Sequence, residues 1–193
     1  MFDDIRIILA SQSARRKELL KYIFPEYDVI PSSADETVPE GIDAENVPEI
    51  LAVRKAKDVA KDNPDALVIG CDTVVISDGE IFGKPKDEAE AYLMLKALSG
   101  RTHDVVSGVC LCCRGKTMSF SQTTRVTFYP LTDADILSYI SECSPLDKAG
   151  SYGIQDRGGL FVKAVEGDHY NVIGFPIARL NIELRRFEKL LER

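Results

Sequence analysis

The chain lacks any stretch able to span a bilayer: across its 193 residues no apolar run approaches the roughly 18 that a transmembrane helix needs. It also lacks an excess of basic charge. Twenty-four Lys and Arg stand against 31 Asp and Glu, a net charge of −7, so neither a nucleic-acid surface nor a basic membrane patch is expected. A polyanionic ligand needs a local positive pocket in such a protein. Repeats, low-complexity tracts and linkers are absent as well, and a single domain over residues 1–193 with one substantial core is the economical expectation. The opening Met1-Phe2-Asp3-Asp4 has no basic segment followed by an apolar core. Cysteines 71, 110, 112, 113 and 143 form no regular framework and are odd in number, which suits a reducing compartment. A cytoplasmic protein is therefore expected. Cys110 and Cys113 match C-x-x-C, but in the alternating run 105–113 their side chains point to opposite strand faces, so a metal or redox site is not expected there. His103 and His169 match no ligand spacing and read as structural.

What is present begins with Ile7-Ile8-Leu9-Ala10-Ser11-Gln12-Ser13-Ala14-Arg15-Arg16, an apolar strand passing through a small polar turn into a helix. Arg15, Leu19 and Ile23 lie four apart, as do Arg16, Leu20 and Phe24. Both arginines thus continue the core-facing stripe toward the N-terminus, and helical side chains lean that way. Their guanidinium groups are expected to overhang the turn at Ser11 to Ser13. The helix dipole disfavours cations at this end by roughly 0.3–1 kcal/mol, so the pair asks for an anionic partner, phosphate above all. The plain alternative is a Ser-capped helix with solvated basic residues.

A short strand at 27–31 leads into an acidic loop, residues 32–41, with adjacent carboxylates at Asp35 and Glu36. It is either solvated or a carboxylate source for a divalent cation. Residues 47–61 form an amphipathic helix with Ala52, Val53, Ala56, Val59 and Ala60 on one face and Arg54, Lys57, Asp58 and Lys61 on the other. Lys55, at the border, either snorkels or reaches a neighbouring site. The run 66–76 reads as a central strand buried on both faces, interrupted by Asp72. A buried, unpaired carboxylate costs several kcal/mol, so Asp72 requires a partner. That partner is either local, such as Thr73 or a backbone N–H, or a metal ion or water at a functional site.

Asp78-Gly79 marks a hairpin turn, and Gly83-Lys84-Pro85 holds a lysine between a permissive and a rigid residue, suited to phosphate contact. A helix over 87–98, a hairpin of strands 105–113 and 117–129, and a capping box at Thr132–Asp135 opening a helix to about residue 142 follow. Residues 145–156 have loop composition, and Gln155 there offers both a donor and an acceptor, as a base edge requires. Strand-like 160–165 and 170–173 precede a closing helix over 177–191.

Five segments together resemble the Maf family of nucleoside triphosphate pyrophosphatases: Leu9-Ala-Ser-Gln-Ser-Ala-Arg-Arg16, Asp35-Glu36, Ile69-Gly-Cys-Asp-Thr-Val-Val75, Gly83-Lys-Pro85 with Leu98-Ser-Gly-Arg-Thr-His103, and Asp147-Lys-Ala-Gly-Ser-Tyr-Gly-Ile-Gln155. The match runs in order through Asn171-Val-Ile-Gly-Phe-Pro176. The resemblance implies an α/β fold of the inosine triphosphatase-like type: a mixed twisted sheet flanked by helices, two lobes with a central cleft, often a homodimer. It implies Mg²⁺- or Mn²⁺-dependent cleavage of a nucleoside triphosphate to the monophosphate and pyrophosphate. On that resemblance Asp72 is the proton acceptor and a metal ligand, and Glu36 is a metal-site carboxylate. Arg15, Arg16, Lys55 and Lys84 form the polyphosphate clamp with Ser11 and Ser13 at the turn, while Arg15, Thr73 and Gln155 fall at specificity positions. The 147–155 segment resembles the dTTP/UTP branch. Other readings are 7-methyl-GTP or another triphosphate as substrate, or a nucleotide-binding regulator of cell division. Ala14, Cys71 and Asp156 depart from the family's usual proline, small residue and glycine.

Overall fold

A computed structural model describes residues 2, 4–38 and 41–192. Met1 and Asp3 of the opening segment, Pro39 and Glu40 of the acidic loop, and Arg193 lie outside the described residues. The elements are β1 (Ile7–Leu9), α1 (Ala14–Leu20), β2 (Asp28–Val29), α2 (Val47–Ala60), β3 (Leu67–Ser77), β4 (Glu80–Phe82), α3 (Glu88–Leu98), β5 (Thr102–Cys113), β6 (Lys116–Phe128), α4 (Asp133–Cys143), β7 (Val162–Glu166), α5 (His169–Ile173) and α6 (Ile177–Leu191). The strands make a mixed seven-stranded sheet, order β2-β1-β3-β5-β6-β7 with β4 on β3, flanked by helices. Among the described residues no helix is long and apolar enough to cross a membrane.

The chain divides into two compact units, each assembled from separate segments. The first comprises Met1–Asp72, Ser107–Gln122 and Gly174–Arg193; the second comprises Thr73–Val106 and Thr123–Ile173.

In the first unit β1 pairs in parallel with both β2 and β3, with Leu9 opposite Val29 and Ile69. Its core joins Ile8, Ala10, Ala52, Ala56, Val59, Val68, Cys110 and Cys112. The small residues of α2 are the reason the helix lies so close. A Cβ at Gly70 of β3 would sit 2.4 Å from the Ala52 carbonyl oxygen, and one at Gly108 of β5 would sit 2.2 Å from the Glu49 nitrogen. Two glycines therefore let the backbone of α2 rest directly on the strands. Cys110 and Cys112 share one strand face, their sulfurs 3.8 Å apart, whereas Cys113 turns to the Asp65 carbonyl. The expected split of Cys110 from Cys113 holds.

In the second unit β3 returns as β4 through Asp78-Gly79, both at positive φ (52° and 81°), the mirror-image turn that suits strand twist. The core here is aromatic, with Phe128, Tyr139, Tyr152 and Phe161 among Leu95, Leu98 and Ile136. Helix α4 opens on the expected capping box between Thr132 and Asp135.

Four local expectations need correction. Residues 170–173 are not a strand but part of α5. A short β-branched run fits either conformation, and the Asn171 amide decides it by donating to the Val105 carbonyl (2.9 Å) and the Thr124 hydroxyl (3.1 Å) inside the core. The expected strand 160–165 begins only at Val162, because Asp156 caps a 3₁₀ segment, Arg157–Phe161. The loop 145–156 contains two further 3₁₀ turns, Pro145–Asp147 and Ala149–Ser151. Finally, α1 stops at Leu20, so Ile23 and Phe24 lie in the turn that follows, with Phe24 still buried.

Candidate active site

Strand β3 alternates its side chains, so Val68, Gly70 and Asp72 face α2 together. On α2, Lys55 lies three residues after Ala52 and four before Val59, on the border of the helix face that packs the strand. Close approach at Gly70 consequently delivers the lysine to the carboxylate: Lys55 Nζ is 2.6 Å from Asp72 Oδ1. Both side chains are only 13% exposed. The same ammonium lies 3.0 Å from Glu36 Oε1, whose side chain is 62% exposed. An exposed ion pair contributes little, whereas the covered Lys55–Asp72 pair fixes the carboxylate's orientation. The protein partner of Asp72 is thus an ammonium 17 residues upstream, more distant in sequence than the local Thr73 or backbone N–H considered from the sequence. Lys55 reaches the site; it does not snorkel to solvent.

The strand-to-helix corner adjoins this centre through the backbone. Arg16 Nη1 donates to the Cys71 carbonyl at 2.8 Å, one peptide from Asp72, and to Ser11 Oγ at 3.2 Å. Its Nε donates to the Gly174 carbonyl at 3.0 Å. The guanidinium does overhang the turn as expected, and these three acceptors fix its orientation. Ser13 is the N-cap, accepting from the Arg16 N–H at 3.4 Å, and the Ser13 N–H itself donates to Ser11 Oγ. Helix α1 has only seven residues, and Ser13 takes the N–H groups of Arg16 and Lys17. Guanidinium groups bring positive charge to this corner. Arg15 is half-buried in the same first turn.

Of the residues singled out beforehand, Ser11, Ser13, Arg15, Arg16, Glu36, Lys55 and Asp72 belong to the first unit. Lys55 joins Asp72 to Glu36, and Arg16 joins Ser11 to the neighbour of Asp72. Thr73, Lys84 and Gln155 belong to the second unit. Lys84 is exposed beyond β4, its preceding Gly83 carbonyl held by the Gly150 N–H at 3.0 Å. Gln155 is exposed on a stapled loop: the Tyr139 hydroxyl accepts from the Gly153 N–H and donates to Asp156 Oδ1, both at 3.0 Å. Asp156 also accepts from the Gly158 N–H at 2.8 Å, so this departure from the family pattern builds the loop. Burial pushes the Tyr139 phenol well above its ordinary range, keeping it a donor.

Gly70 and Gly108 were missed, although glycine inside a strand pattern signals close backbone approach. Arg54 and Asp58, placed by the sequence on the polar face of α2, both grip the acidic loop. Among the described residues no group of three or more His, Cys, Asp or Glu is disposed to hold a metal ion.

A family model described as "Maf-like protein" matches residues 6–187. The chain is 47% identical over 182 residues to a dTTP/UTP pyrophosphatase of Bacillus cereus, covering 94% of this chain and 95% of that protein. It is 47% identical over 183 residues to a dTTP/UTP pyrophosphatase of Bacillus cytotoxicus, covering 95% and 96%. Among solved structures, the Ham1 protein of Staphylococcus aureus aligns with 64% of this chain and 71% of its own, at 21% identity and a TM-score of 0.49.

Proposed function

The chain belongs to the Maf-like protein family, and from that premise we propose that it hydrolyses nucleoside triphosphates, dTTP and UTP foremost, to the monophosphate and pyrophosphate. The observation that carries the reading is the covered carboxylate of Asp72, held by Lys55 beside an arginine-bearing corner. That is the equipment of phosphoryl chemistry, in which catalysis is mostly positioning and charge stabilisation.

In this reading Asp72 accepts the proton of the attacking water. Lys55 fixes that carboxylate and presents positive charge at the same point. Arg16, locked by three hydrogen bonds, and Arg15 beside it stabilise charge on the leaving pyrophosphate. The donor chemistry suits Mg²⁺ or Mn²⁺. Two carboxylates converge within 3.0 Å of one ammonium nitrogen, and such hard cations are held by one or two carboxylates plus substrate phosphate and water. Asp72 and Glu36 are the residues that would hold the ion, and when bound it supplies charge neutralisation at the phosphoryl oxygens. The preference for uracil and thymine is supported by the names of the relatives and by the amide of Gln155, which can pair with an imide edge.

The test is product identity. Purified protein with UTP or dTTP and Mn²⁺ is expected to release monophosphate and pyrophosphate. Orthophosphate as first product would reject the reaction, and tight nucleotide binding without turnover would favour a regulator. Comparing kcat/KM across a panel of bases, 7-methyl-GTP included, decides the substrate.

A further inference from the structure

Glu36 stands on an exposed loop, where a side chain ordinarily samples many positions; its fixed place at Lys55 therefore requires an explanation. The loop itself supplies part of one. Asp35 Oδ1 accepts from the Thr37 N–H at 2.9 Å and the Thr37 hydroxyl at 2.7 Å, closing a tight turn with Glu36 at its apex. The remainder comes from α2. Arg54 Nη1 donates to the Asp35 carbonyl (3.2 Å) and the Thr37 carbonyl (2.6 Å), the two that bracket Glu36. One helical turn later, Asp58 Oδ2 accepts from Ser32 Oγ (2.9 Å), the Ser33 N–H (2.8 Å) and Ser33 Oγ (3.3 Å). Ser32 Oγ in turn accepts from the Ala34 N–H at 3.0 Å. Hydrogen bonds thus anchor the segment at Ser32, Ser33, Ala34, Asp35 and Thr37.

Positions 54 and 58 are four apart and so lie on one helix face. Position 55 is the next residue round the helix, and its ammonium meets both Asp72 and Glu36. One helix therefore carries the cation and the grip on the loop that brings the second carboxylate to it.

We propose that Arg54 and Asp58 are positioning residues for the reaction, acting through Glu36 by clamping the 32–37 turn to α2. The proposal rests on the pyrophosphatase reading for its kinetic consequence, but its geometric content stands alone. Both carboxylates of the clamp are held below the usual range, Asp35 chiefly by the Thr37 hydroxyl and Asp58 chiefly by the Ser32 hydroxyl. They remain ionised acceptors at neutral pH.

The test uses the full chain with Arg54→Met, Arg54→Lys, Asp58→Asn and Glu36→Gln, and Lys61→Met on the same helix as a control. Losing a residue that orients a metal-site carboxylate lowers activity on the order of 10- to 100-fold. R54M is expected to lose that much kcat towards UTP with KM little changed, R54K to recover part of it, and K61M to match wild type. In an E36Q background, R54M is expected to add no further loss, because its effect passes through Glu36. Equal losses in both backgrounds, or wild-type kcat in R54M, would overturn the proposal. Hydrogen exchange separates this from failure of the functional reading. R54M is expected to expose the Thr37 amide and D58N the Ser33 amide, whether or not UTP is the substrate. Unchanged protection in both variants overturns the clamp, whereas a wild-type protein inert towards triphosphates overturns only the proposed reaction.

Discussion

Gly70→Ala places one methyl group where α2 meets β3. The new Cβ would lie 2.4 Å from the Ala52 carbonyl oxygen, 2.8 Å from the Ala56 nitrogen and 2.9 Å from the Ala56 Cβ. Two of the three are backbone atoms, which cannot rotate aside. Reaching an ordinary contact of 3.4 Å means moving the helix by about 1 Å (3.4 − 2.4). Overpacking of this kind costs about 1–3 kcal/mol. The displacement also carries Lys55 away from Asp72, and with it Glu36, because Arg54 and Asp58 tie that loop to the same helix. A misplacement of about 1 Å costs on the order of 100-fold in rate. Urea unfolding and UTP turnover measured on one preparation are expected to show both losses. Wild-type stability together with wild-type kcat would refute the claim that Gly70 sets the approach of α2.

Two further outcomes concern the second unit. His103 is buried against Phe128 and Tyr152, with Nε2 2.9 Å from the Tyr152 hydroxyl and Nδ1 lacking a hydrogen-bond partner among the described residues. Burial lowers its pKa from 6.5 to about 4, so between those values the unfolded chain binds the extra proton. Its contribution is whole above pH 6.5 and lost as pH falls towards 4, by about 3 kcal/mol at roughly 1.4 kcal/mol per pH unit. Urea titrations at about pH 7.5 and pH 4.5 are expected to show that drop in wild type and a flatter response in His103→Gln; identical slopes would contradict it. Asp156→Ala removes a cap and the acceptor of the Tyr139 hydroxyl, and is expected to cost roughly 0.5–2 kcal/mol of stability. Unchanged unfolding would show that the staple does not hold the Gln155 loop.

Much of this architecture is written locally. The Asp78-Gly79 turn, the capping box at Thr132 and the burial of β3 on both faces depend on neighbours within a few residues, where chemistry and period leave little choice. The alternation that separates Cys113 from Cys110 is legible for the same reason. What escapes is information carried between segments. The need of Asp72 for a partner is evident from its apolar strand, yet Lys55 as that partner depends on where α2 lands, and two glycines decide that. Arg54 and Asp58 fit the polar face of an amphipathic helix, and nothing in their spacing tells solvent from a loop lying across them. Residues 170–173 are helical, not extended, because Asn171 docks in the core through partners more than 40 residues away. The interleaving of segments between the two units is likewise a long-range property that no local pattern carries.

Asp72→Asn probes the central carboxylate most directly. Asparagine keeps the shape and an acceptor oxygen for Lys55, so the fold is expected to survive, as judged by circular dichroism and cooperative unfolding. It removes the base, which contributes on the order of 100- to 10,000-fold. Steady-state turnover of UTP with pyrophosphate detection is expected to fall by at least the lower of those factors with nucleotide binding retained; a folded variant that hydrolyses UTP at the wild-type rate would contradict the central role given to this carboxylate.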